Sequence, residues 1–72
     1  MDGKLIQVGR KGVTPEVVEE IRILLREYKK VRVKFLKSSR ENEGRRDLAD
    51  SILSRIRARK SELRGNILTL AE

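Results

Sequence analysis

Apolar and polar positions change period along this chain in a way that marks out six elements. In "KLIQV", residues 4 to 8, Ile6 and Val8 share one face and the segment stops at Gly9, the pattern of a short strand. From Thr14 the period lengthens. Val17, Ile21, Leu24 and Tyr28 recur at the spacing of one helical stripe, and Val18 and Leu25 widen it. Thr14, Pro15 and Glu16 supply an N-cap, a first helical position and an acidic first turn, while Lys29 and Lys30 close the helix at the negative end of its dipole. "VRVKFL", residues 31 to 36, alternates strictly, with Val31, Val33 and Phe35 on one face and Arg32 and Lys34 on the other, as in a half-buried strand. "KSSRENEG", residues 37 to 44, holds no apolar residue and reads as a loop. A second helix follows over roughly residues 44 to 59, with Leu48, Ala49, Ile52, Leu53 and Ile56 inward and Arg46 and Asp50 as a surface pair. "SELRGNILTL" reads as two strands turning tightly at Gly65 and Asn66.

The order strand, helix, strand, helix, strand, strand predicts an α/β two-layer sandwich: a four-stranded mixed sheet with both helices on one face. Two strand-helix-strand units predict right-handed crossovers and parallel pairing of the first three strands, with the final hairpin adding an antiparallel one. The other face of the sheet, carrying Arg32 and Lys34, is then open and basic. The chain of 72 residues is expected to be one domain, with residues 1–3 a flexible N-terminus.

Composition sharpens this picture mainly through charge. Eighteen Lys and Arg stand against eleven Asp and Glu, giving +7. The excess is spread evenly: nine basic and five acidic groups in residues 1 to 36, nine and six in residues 37 to 72. A balance of this kind attracts polyanions, and the predominance of Arg suits phosphate because its guanidinium donates in a bidentate fork. Histidine and cysteine are absent, which removes imidazole bases, thiolate nucleophiles, disulfides and the usual zinc ligands. No serine sits in a nucleophile elbow. No enzymatic role, cofactor or metal is expected, and without a long apolar run the protein is expected to be cytoplasmic.

Candidate binding residues gather around two loops. In "GRKG", Gly9 and Gly12 bracket Arg10 and Lys11 just ahead of a capped helix. One reading is a plain strand-to-helix turn. The other is a phosphate grip, in which missing Cβ atoms let a sugar-phosphate backbone approach and the helix start favours an anion. Arg40 in the second loop, and Arg45 and Arg46 opening the second helix, emerge at the same predicted edge of the sheet and are expected to neighbour Arg10 and Lys11. Arginines at a helix start oppose its dipole, which is understandable if they meet an anion; the alternative is pairing with Glu41, Glu43 or Asp50. A further cluster, Arg55, Arg57, Arg59 and Lys60, is expected to close the second helix, where the dipole favours cations without any ligand. Two aromatics, Tyr28 and Phe35, are too few for base stacking, so backbone and shape contacts are the expected mode.

The combination of "VGRKGVTPEVVEEI", "KKVRVKFLKS", a hydrophilic loop with a helix, and "LRGNILTL" resembles the CRM domain of chloroplast RNA splicing and ribosome maturation proteins, in particular its stand-alone YhbY-like prokaryotic members. The resemblance runs from about residue 4 to residue 70. It implies a fold similar to the C-terminal domain of translation initiation factor three, and an RNA-contacting G-x-x-G loop at Gly9, Arg10, Lys11 and Gly12. It also implies ribosomal RNA or its precursors as partner, and a role in subunit maturation. Only three residues precede the first strand where the family has an extra helix. Part of the sheet or of the first helix is therefore expected to be exposed; the protein is expected to be a monomer or a homodimer, the dimer burying the gap. Two other readings fit a small basic sheet-and-helix protein: an Alba-type dimeric DNA- or RNA-coating protein, and a protein-interaction module whose charge reflects heat adaptation.

Overall fold

The computed structural model describes residues 4–40 and 44–72, without the side chains of Ser39 and Arg40. The expected flexible segment 1–3 lies outside these residues. The elements are β1 (Lys4–Val8), α1 (Pro15–Tyr28), β2 (Lys30–Phe35), a short 3-10 turn (Lys37–Arg40), α2 (Arg45–Leu53), β3 (Lys60–Arg64) and β4 (Ile67–Ala71). They form the expected two-layer α/β sandwich. Among the described residues no helix is long and apolar enough to cross a membrane.

The sheet runs β1-β2-β4-β3. β1 pairs with β2 in parallel, Ile6 opposite Val33, and β4 pairs antiparallel with both β2 and β3. The expected parallel pairing of β2 with β3 does not occur, because β4 is inserted between them. Burial explains the choice. β4 "ILTLA" places Leu68 and Leu70 in the core, at 1% and 0% exposure, whereas β3 "KSELR" has only Leu63 partly covered. The apolar member of the hairpin therefore takes the interior position and the polar one becomes an edge. Arg64 and Ile67 face each other across the two-residue turn, and Gly65 supplies its positive φ of 62°.

The core joins the inner face of the sheet to α1 through Val18, Ile21 and Leu25, and to α2 through Leu48, Ala49 and Ile52. Apart from Phe35 it is entirely aliphatic, each such side chain contributing roughly 1.5–3 kcal/mol on burial. The α1 stripe is rotated from the one expected. Val18, Ile21 and Leu25 are central, Val17 and Leu24 lie at the margin, and Tyr28 is 45% exposed with the Lys4 ammonium 5.1 Å from its ring centroid. Leu5 on β1 and Ile23 on α1 are likewise exposed, so apolar surface does stand open on both the sheet and the first helix.

α2 is shorter than its periodicity implies. Ile56 continues the Ile52 spacing and is buried, but the helix ends at Leu53. Ser54 donates its hydroxyl to the Ser51 carbonyl at 2.9 Å, and the Arg55 and Ile56 amides converge on the Ile52 carbonyl, so a tight turn replaces further helix. Ile56 reaches the core from the following loop. Arg55, Arg57 and Arg59 consequently lie in that loop and Lys60 in β3, beyond the helix end they were expected to close.

α1 ends on Lys29, whose φ of 67° places a non-glycine residue in the left-handed region while its N–H donates to the Leu25 carbonyl. Lysine there is strained by about 1 kcal/mol relative to glycine. Lys29→Gly is expected to leave the fold intact and to raise stability by up to about 1 kcal/mol, read as a higher midpoint of thermal unfolding; a lower midpoint would mean that the lysine side chain itself holds the helix end.

Candidate nucleic-acid interface

Because β1 and β2 are parallel, the chain leaves both at the same edge of the sheet, and the β3–β4 turn returns there too. The first loop forms a closed turn in which the Gly12 N–H donates to the Gly9 carbonyl at 2.9 Å, presenting Arg10 and Lys11, both exposed, at its two central positions. Gly12 has φ 71°, and a Cβ there would meet nothing within 4 Å. Glycine is thus required for conformation and leaves open space beside the turn. Gly9 is different: an added Cβ would lie 3.9 Å from Leu36 Cδ1 and Ser38 Oγ, an ordinary contact.

The helix start behind this turn is less available to an anion than expected. Of the first three helical residues, Pro15 has no N–H and Val17 donates to Thr14 Oγ1 at 3.2 Å, which leaves only the amide of Glu16, itself acidic. The start of α2 is the reverse. Its N-cap is Gly44, with no side-chain cap, and its first two residues are Arg45 and Arg46. Two cations there oppose the dipole by about 0.3–1 kcal/mol each, offset in part by Asp47 in the same turn, and an anion would reconcile the arginines with amides that are uncapped among the described residues. Asp50 makes no ion pair with Arg46, so the expected surface pair is not formed; Glu41 and Glu43 lie outside the described residues.

Arg45 and Arg46 line an open cleft of about 400 Å³ with Gly44, Leu63 and Gly65, between α2 and the hairpin. They therefore share an edge with Arg10 and Lys11 without adjoining them: three strand spacings, roughly 14 Å, separate β1 from β3. Between them stand Lys37 and Arg40, at the two ends of the 3-10 turn; the Arg40 side chain lies outside the described part.

Among the described residues no helix covers the face of the sheet away from α1 and α2. Register places Lys30, Arg32 and Lys34 of β2 on it, with Lys60, Glu62 and Arg64 of β3 across β4. Five cations thus face one carboxylate, and Arg64 holds that carboxylate at 3.1 Å. Arg32 and Lys34 are half-buried, and Arg32 Nε is covered without a hydrogen-bond partner. Arg64 was readable from the alternation of "SELR" but was not singled out, and Lys60 was expected only to close the second helix; Lys37 carried no signal beyond its charge. Neither aromatic ring serves this interface. Phe35 is fully buried, and Tyr28 closes α1 at the far end of the molecule.

The chain matches the family model described as the CRS1 / YhbY (CRM) domain over residues 3–71. It belongs to the CRM domain family. CRM domains are RNA-binding modules, not enzymes, and the expected fold and family are both found. Neither a curated protein nor a solved structure matches the chain. In this CRM domain the two loop glycines are predicted to behave differently. Gly12→Ala should destabilise the fold by about 1 kcal/mol through its left-handed backbone, whereas Gly9→Ala should unfold at the wild-type midpoint; equal losses in thermal unfolding would contradict the geometry.

Proposed function

We propose that this CRM domain binds structured RNA, ribosomal or a ribosomal precursor, and acts in the assembly or maturation of a ribosomal subunit. The contact is made by Gly9, Arg10, Lys11 and Gly12, by Arg40, Arg45 and Arg46 along the same edge, and by Arg32 and Lys34 on the open sheet face. The observation that carries this reading is the start of α2, where uncapped amides and two arginines coincide beside the hairpin. An anion resolves both features at once.

The mode of recognition follows from what the edge offers. Guanidinium and ammonium groups on short turns meet phosphates, and with both aromatic rings elsewhere no platform exists for stacked bases. Shape is read through spacing: cations distributed over about 14 Å match phosphates on different parts of a folded RNA better than one extended strand. Heat adaptation is a weaker account of the charge. Among the described residues the ion pairs are two isolated ones, Glu19–Arg22 and Glu62–Arg64, rather than a network.

Arg10→Glu combined with Lys11→Glu should weaken binding to a structured ribosomal RNA fragment by roughly tenfold or more in filter binding while leaving the thermal midpoint unchanged; unaltered affinity would remove the loop from the interface. For the wild type, log affinity should fall linearly with log salt. Replacing Arg10 and Lys11 by Gln should make that slope shallower by about two, one per lost phosphate contact, and a flat response would refute the electrostatic account.

A further inference from the structure

The opposite edge of the sheet carries a second concentration of positive charge, assembled from parts distant in sequence. α1 begins at the loop edge and ends at the other one, where β2 starts and β4 finishes; the Glu72 amide donates to the Lys29 carbonyl at 3.0 Å and ties these ends together. The loop after α2 is drawn onto the same place, because Arg22 Nη2 donates to the Arg55 carbonyl at 3.1 Å. Between them opens a cleft of about 300 Å³ whose rim carries Arg22, Arg26, Lys29 and Arg57. Leu25 and Ile56, both buried, form its floor. Glu72 is the single acidic residue at the rim and is within ion-pair distance of none of the four among the described residues.

Helix electrostatics explains only part of this cluster. Arg26 and Lys29 suit the negative end of α1, but Arg22 lies mid-helix and Arg57 is in a loop beyond α2. Arg22 is anchored by Glu19 and the Arg55 carbonyl, while Arg26, Lys29 and Arg57 have no acidic partner among the described residues. Lys29 also occupies a left-handed position that glycine would hold without strain. Four cations around one cleft with an apolar floor, one of them at a strained position, form a receptor for an anion carrying several acceptor oxygens.

We propose that this cleft is a second phosphate-binding site for RNA backbone, and that one chain thereby bridges two RNA segments, one at each edge of the sheet. The proposal rests on the RNA-binding reading above and extends it. Strands of five to six residues span roughly 17–20 Å, so the two edges are too far apart to hold adjacent phosphates of one strand and can engage separate segments of a folded RNA.

The test counts short RNA stem-loops, each too small to reach both edges, bound per chain in non-denaturing mass spectrometry at low salt. Wild type should bind two. A variant carrying Arg26→Gln, Lys29→Gly and Arg57→Gln should bind one, as should the Arg10→Glu, Lys11→Glu variant, each with its fold verified by thermal unfolding. One stem-loop on the wild type, retained by the far-edge variant and lost by the loop variant, would overturn the bridge and leave the proposed function standing. Two stem-loops on the far-edge variant would also overturn it. The reverse loss, at the far edge alone, would likewise overturn the bridge, and it would remove the loop from RNA binding. If polyglutamate, and not the stem-loop, binds the wild type and fails on the far-edge variant, the cleft serves an acidic protein segment and the assignment to RNA is wrong.

Discussion

The structure depends on the pairing of β2 with two unlike neighbours. Val31, Val33 and Phe35 are wholly buried on its inner face, and its backbone is bonded in parallel to β1 and antiparallel to β4. A parallel pair cannot be closed by a tight turn, so the chain must travel the length of the sheet between β1 and β2, and α1 is that return path. From this it follows that β1 and β2 both end at one edge and that α1 and α2 both begin there. The antiparallel neighbour then brings the β3–β4 turn to the same place. The basic edge is a consequence of strand direction, not of any attraction among its cations, which repel one another.

That repulsion is tolerated because the fold is held elsewhere. The core is small and aliphatic, and exposed ion pairs contribute at most about 1 kcal/mol each, so the surface charges are largely free of a structural task. Among the described residues two exposed pairs join Glu19 to Arg22 and Glu62 to Arg64, and the first of these also fixes an arginine that holds the loop after α2. The surplus lies in turns, at an uncapped helix start and across an uncovered sheet face. Each is a place where a chain selected only for stability would carry glycine, a capping side chain or a neutral residue.

Much of the candidate site was legible because its parts are local. The "GRKG" turn is defined by four consecutive residues, the Thr14 cap by a bond to Val17, and the open face of β2 by alternation within one strand. What misled was local regularity without tertiary support. The Ile52 and Ile56 spacing extended α2 on paper, yet Ser54 turns the chain and Ile56 enters the core from a loop, which deprives Arg57 of the helix dipole that had seemed to account for it. The saturation of the α1 start by Pro15 and Thr14 was visible in the sequence. Its consequence, that the helix amides there are left with little to offer an anion and only the loop side chains stand free, needed the bonds themselves.

By itself the sequence determined the kind and order of elements, the family, the sign of the surface and the glycine-bracketed turn, because periodicity, capping and charge are properties of neighbouring residues. Only the tertiary structure decided that β4 lies between β2 and β3, that α1 turns Tyr28 outward, that Arg45 and Arg46 meet the hairpin instead of the "GRKG" turn, and that Arg57 joins Arg22, Arg26 and Lys29. These juxtapositions are set by which apolar surfaces exclude water together, a competition among segments far apart in the chain that no local pattern records.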